Sequence, residues 1–223
     1  DLTAIIPVYD GARLAYWSLN RAHQSDIGGA THGAYNPAAT EIWQEGFRVP
    51  PIRLGQNGKM RDDLVAMLAA NVRHPRDFLG DLAAMIGSAQ LGARRMSALI
   101  GELGGAKLDA ALEALLDASE RQARAVISTW TDGTFKGEAF LDDDGRGNND
   151  IAIRATVTKR GSDLTVDLSD SAPEVASFVN SSYANTCSAV VAAIAYLMEP
   201  DTPKNAGSSR PLTIIAKEGT IVW

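Results

Sequence analysis

Residues 75–101, PRDFLGDLAAMIGSAQLGARRMSALIG, carry a strong periodic signal. Their apolar side chains recur at steps of three and four, which is the spacing of one face of an α-helix. These side chains are Phe78, Leu82, Met85, Ile86, Ala89 and Ala93. Pro75 suits a first helical turn, because the N–H that proline lacks would have no partner there. The sequence therefore predicts a long amphipathic helix with one face in a core.

A second long helix is predicted directly after the first. Gly101, Gly104 and Gly105 end the first helix. From about Leu108 to Ile127, leucines again recur at helical spacing. Both apolar stripes are expected to be core faces.

Strand patterns predict β structure on both sides of these helices. Residues 2–9 are apolar and β-branched, Asp10-Gly11 is a hairpin turn signal, and residues 13–19 alternate. After the helices, strands are predicted near residues 137–141, 151–158, 164–168 and 212–216, with a third helix at about 186–198. The predicted fold class is α+β, with mainly antiparallel sheet segments, two long central helices and a third helix near the C-terminus.

The two ends of the chain bear on its domain organisation. Residues 1–6 and 220–223 are strand-like runs without a lead-in. Because domains seldom begin or end in the middle of a strand, we expect residues 1–223 to form a single region of a longer polypeptide.

Composition excludes several classes of partner. The 223 residues have a net charge of -6, and the basic residues are scattered. This balance disfavours binding to nucleic acid or to an anionic membrane. No apolar run reaches the ~18 residues that span a bilayer. The single cysteine, Cys187, rules out an internal disulfide and suits a reducing compartment, so a cytoplasmic protein is expected.

The loop RAHQSDIGGATHGAY, residues 21–35, holds the main candidate site. His23 and Asp26 are three residues apart, and imidazole with carboxylate suits Zn, Mn or Fe. The alternative is that Asp26 closes an Asx-turn onto Gly28 while His23 is a hydrogen-bonded, partly buried residue. Gly28 and Gly29 are either an anion-binding nest of backbone amides or a turn that needs positive φ.

The remaining candidate motifs have simpler interpretations. His32 lies nine residues past His23 and is expected to be a loop histidine. The acidic run 142–150 fails as a calcium-binding EF-hand loop, because alignment puts Phe140 first and Ile151 twelfth, so a hairpin loop is predicted. Cys187 has no neighbour that would activate it and is interpreted as a small hydrophobe. No G-x-x-x-x-G-K-[ST] nucleotide loop is present.

Ten short phrases, taken together and in this order, carry a family resemblance. They are Asp1-Leu2-Thr3, Pro7-Val8-Tyr9, RAHQSDIGG (21–29), Glu45-Gly46, Pro50-Pro51, NVRHP (71–75), GDLA (80–83), DDDG (142–145), Asp167-Leu168-Ser169 and Asn205-Ala206-Gly207. The chain resembles the middle portion of the B-type subunit of the hydantoinase/5-oxoprolinase family. Members include N-methylhydantoinase, 5-oxoprolinase, and the acetone and acetophenone carboxylases.

The resemblance implies an enzyme that works with a partner. In the family, an A-type subunit or domain uses ATP to phosphorylate a poorly reactive amide or ketone oxygen, and the B-type part completes hydrolysis or carboxylation. The expected function is therefore a metal-dependent subunit of an ATP-coupled cyclic amide hydrolase, acting on a hydantoin, oxoproline or lactam within a hetero-oligomer. Two alternatives remain, a ketone carboxylase subunit and a non-catalytic scaffold.

The resemblance also implies a metal site. The family's metal ligands correspond to Asp1 and His23, with one further histidine expected upstream of Asp1. Asp26 corresponds to a carboxylate that orients His23, and the amides of Gly28 and Gly29 would stabilise a developing anion.

Two positions depart from the family pattern. Relatives have a second histidine where this chain has Gln24, and they often have Thr-Pro-Gly where this chain has Thr31-His32-Gly33. The first departure leaves His23 as the single ligand in this phrase, and the second leaves His32 without an assigned role.

Overall fold

The computed structural model describes residues 1–223, apart from the side chain of Ala34. Its backbone divides into two units, Asp1–Leu108 and Asp109–Trp223. The division falls within the first turn of a helix, and each unit has its own buried residues.

Unit 1 is built on an antiparallel ribbon and a long helix. The ribbon pairs β1 (Leu2–Asp10) with β2 (Arg13–Ala22), and its register shifts between Val8 and Tyr9. Two residues each form β3 (Gly55–Gln56) and β4 (Lys59–Met60), which precede α1 (Asp62–Ala69). The long helix α2 (Pro75–Leu103) packs against both strands of the ribbon. Short 3-10 turns occupy His32–Ala34 and Ile42–Gln44.

The core of unit 1 lies at the beginning of α2. Leu68, Phe78 and Leu82 are buried together, and the ring of Phe47 meets that of Phe78 edge-on at 6.1 Å between centroids. On the ribbon, one face contacts α2 while the other exposes apolar side chains, including Trp17 and Leu19. The α2 stripe predicted from periodicity is therefore the one that is buried.

Unit 2 is a four-stranded sheet with helices. Its helices are α3 (Gly105–Ser128, beginning at the end of unit 1), α4 (Tyr183–Leu197) and α5 (Ala206–Ser209). The strands are β5 (Gly133–Asp143), β6 (Asn149–Arg160), β7 (Asp163–Asp167) and β8 (Leu212–Ile215), in that spatial order. The first three are antiparallel, and β8 is parallel to β7 because α4 and α5 form the crossover between them.

The α+β fold class predicted from the sequence is confirmed, and the main differences are at element ends. Strands β5 and β6 are longer than predicted, because their outer residues are exposed and give no alternating apolar signal. Helix α4 begins three residues earlier than predicted, at Tyr183, where the Ser182 hydroxyl caps it by accepting from the Asn185 amide at 3.3 Å. Among the described residues, none of the helices combines the length and apolar character needed to cross a bilayer.

The packing of α5 on α3 gives a testable prediction. A Cβ added to the buried Gly207 would lie 2.7 Å from the carbonyl carbon of Leu116, and backbone cannot move aside cheaply. We expect Gly207→Ala to lower the free energy of unfolding by about 2 kcal/mol in urea titrations. The control is Gly87→Ala on the open side of α2, where nothing lies within 4 Å. That change should raise stability by about 0.5–1 kcal/mol, and equal effects of the two substitutions would contradict the packing.

Candidate functional site

The open end of the β1–β2 ribbon brings together two side chains that the family resemblance links. Leu2 pairs with Ala22 in the antiparallel register, so Asp1 and His23 follow directly on opposite strands. The Nδ1 atom of His23 lies 3.3 Å from Oδ1 of Asp1. The other carboxylate oxygen of Asp1 accepts from Nε of Arg21 at 3.1 Å. The hairpin register therefore makes this carboxylate and this imidazole converge.

The donor set at this ribbon end suits a divalent metal ion but is short of a complete site. A carboxylate oxygen and an imidazole nitrogen are ligands that Zn, Mn and Fe accept. The side chains of Asp1 and His23 are 35% and 55% exposed, so an ion could reach them. Among the residues that the structure describes, no group of three or more His, Cys, Asp or Glu side chains lies close enough to hold a metal. The chain thus offers two ligands here.

The carboxylate of Asp26 is buried and fully committed. It is 1% exposed and accepts from the backbone N–H of Gly28 at 3.1 Å. It also accepts from the backbone N–H of Arg73 and from Nη1 of that residue at 2.9 Å. Burial acts to raise the pKa of Asp26, but the hydrogen bonds and the charge of Arg73 outweigh it, so the pKa lies below its usual value. Asp26 is therefore ionised at neutral pH.

These contacts favour the Asx-turn interpretation of Asp26. The Gly28 amide donates to the Asp26 side chain, as that alternative requires. The other partner of Asp26 is Arg73, and the His23 ring contacts Asp1 and Tyr35 instead. The physical reason is that residues 23–26 are alternately exposed and buried, so His23 and Asp26 face opposite ways. This geometry does not support orientation of His23 by Asp26.

Gly28 and Gly29 lie where the loop packs tightly against neighbouring backbone. Both have positive φ, +79° and +78°, and a Cβ on either would come within 2.6 Å of Asn71 O or the Glu45 carbonyl carbon, respectively. The Gly28 amide is already engaged by Asp26. These contacts favour a packing role for the two glycines over an anion-binding nest.

Gln24 occupies an inward position on the same loop. It is 2% exposed, and its Nε2 donates to Sδ of Met85 on α2 at 3.2 Å. Its Oε1 has no hydrogen-bond partner among the described residues. The position where relatives have a second histidine therefore faces the interior of unit 1 in this chain.

Arg73 and Tyr35 are two site residues that sequence reasoning missed. Besides its bonds to Asp26, Arg73 donates from Nη2 to the carbonyl oxygen of Gly29 at 2.5 Å. The phrase NVRHP contained Arg73, but a partner 47 residues away leaves no local signal. The ring of Tyr35, which is 72% exposed, lies 5.9 Å from the ring of His23.

The other candidate motifs lie away from this pair or have structural roles. His32 is exposed, and within the described part of the chain it has no hydrogen bond or ion pair. The acidic run connects β5 to β6 as a hairpin loop, and in it the buried Asp144 accepts from the amides of Arg146 and Asn148 at 2.8 and 3.1 Å. Cys187 is partly buried within α4.

Comparison with known proteins identifies relatives over the whole chain. The family model described as hydantoinase B/oxoprolinase matches residues 1–223. The beta subunit of the caprolactamase from Pseudomonas jessenii is 33% identical over 96% of this chain and 37% of its own length. A crystal structure of that organism's ATP-dependent caprolactamase superposes with a TM-score of 0.90 at 32% identity, over 98% of this chain and 38% of that one.

Two further curated relatives differ in the activity that they are named for. The protein named as a putative D-/L-hydantoinase B component, from Pseudomonas sp. (strain NS671), is 32% identical over 99% of this chain and 39% of its own length. The acetophenone carboxylase delta subunit of Aromatoleum aromaticum (strain EbN1) is 30% identical over 81% of this chain and 27% of its own length. The chain thus spans less than two fifths of each of these relatives.

The buried Asp26–Arg73 pair gives a testable prediction. We expect Asp26→Asn to lower the free energy of unfolding at pH 7 by about 2 kcal/mol, because an amide nitrogen would replace an oxygen that accepts from a charged donor. Since the native pKa of Asp26 is lowered, its contribution is complete above the unfolded-state pKa and is lost as pH falls through the native one. The difference between wild type and variant should therefore shrink below about pH 4.

The control for this measurement is Asp63→Asn. Asp63 is also paired with an arginine, and its hydrogen bond with Arg61 lowers its pKa to about 2, but its side chain is 65% exposed. Solvent screening should make that substitution nearly neutral in the same chemical denaturation series. An Asp26→Asn protein as stable as Asp63→Asn would show that the buried pair does not anchor the loop.

Proposed function

This chain belongs to the hydantoinase B/oxoprolinase family, and we propose that it is the metal-holding part of an ATP-coupled enzyme that hydrolyses a cyclic amide. A partner of the A type would use ATP to phosphorylate the amide oxygen, and this chain would receive the activated ring. Relatives that are named as one subunit of an enzyme support such a hetero-oligomer. The lack of a nucleotide phosphate loop in this sequence agrees with that division of labour.

The observation that carries this proposal is the 3.3 Å approach of Asp1 and His23. These two side chains would hold a divalent Zn, Mn or Fe ion, with the remaining ligands supplied by water, by substrate or by protein outside this chain. Such an ion, when bound, would lower the pKa of a bound water or polarise the phosphorylated oxygen. Hydrolysis breaks the C–N bond of the ring, adds the water oxygen to the carbonyl carbon and releases phosphate.

The chain's own residues would position the reacting groups. Arg21 holds one oxygen of Asp1, which leaves the other directed towards His23. The Asp26–Arg73 pair fixes the loop that follows His23 onto the start of α2. The exposed ring of Tyr35 beside His23 offers an apolar surface against which a substrate ring could lie. A fixed metal pair next to an apolar surface suits a small ring compound.

Two alternatives are each favoured by one observation. The match to an acetophenone carboxylase delta subunit favours a ketone carboxylase that uses bicarbonate. The lack of a third metal ligand among the described residues favours a scaffold without chemistry of its own. The matches to caprolactamase and hydantoinase cover more of this chain, so the cyclic amide hydrolase is preferred. The single cysteine suits a cytoplasmic location.

The deciding experiment uses the full-length protein with its ATP-handling partner. The complex is given ATP with ε-caprolactam, hydantoin or 5-oxoproline, and in parallel ATP with acetophenone and bicarbonate. We expect release of phosphate together with a ring-opened amino acid product from at least one cyclic amide. Carboxylation of the ketone alone would replace the proposal with the first alternative. A metal-free complex that turns over none of these compounds would support the scaffold.

The metal assignment predicts different results for two histidines on the same loop. We expect His23→Ala to weaken metal binding by about 100-fold or more and to abolish coupled turnover, because it removes one of two ligands. His32→Ala, an exposed residue of the same type, should keep both metal content and activity. Metal content is measured by mass spectrometry of the purified complex. Full metal occupancy and full turnover in His23→Ala would refute the ligand assignment.

A further inference from the structure

A small apolar cavity lies beside the C-terminal half of α4 in unit 2. Its volume is about 190 Å³. One wall is apolar and is formed by Val191, Ile194, Ala195, Met198 and Leu212, while polar residues of the segment 202–209 close the other side. Because an apolar cavity of about 150 Å³ takes up benzene, this one has room for one six-membered ring with a substituent.

One polar group in this cavity is buried without a partner. Thr202 is 2% exposed, and its Oγ1 has no hydrogen-bond partner among the described residues. The turn around Thr202 does not need this hydroxyl, since the backbone N–H already donates to Glu199 O at 2.9 Å. A hydroxyl that is buried without a hydrogen bond destabilises the fold. Such a group is expected where a ligand completes the bonding.

The polar side of the cavity presents donors. The ammonium of Lys204 donates to Glu199 O at 3.2 Å and to Pro200 O at 2.9 Å, which occupies the nearby carbonyl acceptors. The Ser208 hydroxyl donates to Asn205 O at 2.8 Å. The Thr202 hydroxyl therefore lacks an acceptor, and a ligand would have to bring one. The apolar wall opposite disfavours an ionised ligand, because desolvating a charge is costly.

We propose that this cavity binds a small, neutral, single-ring molecule that carries a carbonyl oxygen, such as a cyclic ketone or a six-membered cyclic amide. The ring lies against the apolar wall of α4 and Leu212, and the carbonyl oxygen accepts from the Thr202 hydroxyl. This site uses neither Asp1 nor His23 and needs no ATP, so it does not rest on the proposed function. Its test is binding, whereas the proposed function is tested by turnover.

The first test fills the cavity. Cyclohexanone is titrated into the whole chain, and binding is followed by chemical-shift changes in NMR spectra. We expect saturable binding to the wild type and a loss of at least tenfold in affinity in Ala195→Leu, whose added methyl groups take the space of the ring. Ala192→Leu is the control, because Ala192 lies on the same helix but is exposed and does not line the cavity. That variant should bind as the wild type does.

The second test removes the hydroxyl and keeps the shape. We expect Thr202→Val to bind cyclohexanone about fivefold more weakly, which is the loss of one hydrogen bond. Its thermal midpoint should be equal to or above that of the wild type, because an unpartnered hydroxyl has been removed. Failure of the wild type to bind, or equal binding by Ala195→Leu, would overturn the proposal. A lowered midpoint in Thr202→Val would also overturn it, because the hydroxyl would then belong to the fold.

Discussion

The buried carboxylate of Asp26 is the constraint on which the arrangement of unit 1 depends. An ionised group at 1% exposure costs several kcal/mol unless charged and dipolar donors surround it. Arg73 and Gly28 supply those donors, and Arg73 additionally binds the carbonyl oxygen of Gly29. The loop after β2 can therefore fold only if the segment before α2 is in place.

The start of α2 explains why Arg73 can serve in this way. Proline cannot donate a backbone hydrogen bond and disfavours helical backbone in the residue before it. His74 accordingly has φ −118° and ψ 67°, outside the helical region, and α2 begins at Pro75. The backbone N–H of Arg73 thus lies outside the helix and is available to Asp26. The two sequence phrases RAHQSDIGG and NVRHP, far apart in the chain, meet because each satisfies the other's polar groups.

Periodicity was sufficient for the helices and insufficient for these contacts. The apolar steps from Phe78 to Ala93 predicted which face of α2 is buried, since burial alone generates that signal. The parallel pairing of β8 with β7 has no local signature, because it depends on the crossover through α4 and α5. A salt bridge between residues 26 and 73 has none either. The convergence of Asp1 and His23 came from family resemblance, and the hairpin register supplies its physical basis.

The alternation of exposure along residues 23–26 separates structural from chemical roles within one short segment. Extended backbone turns successive side chains to opposite sides, so His23 faces solvent while Gln24 and Asp26 face inward. The spacing of three between His23 and Asp26 suggested a shared site only under the assumption of a turn between them. A polar residue at position 24 meets Met85 and leaves Oε1 unpartnered, so the departure from the family's second histidine bears on packing in unit 1. The outward carboxylate and imidazole at residues 1 and 23 are thereby free of any role in the core and remain accessible for chemistry.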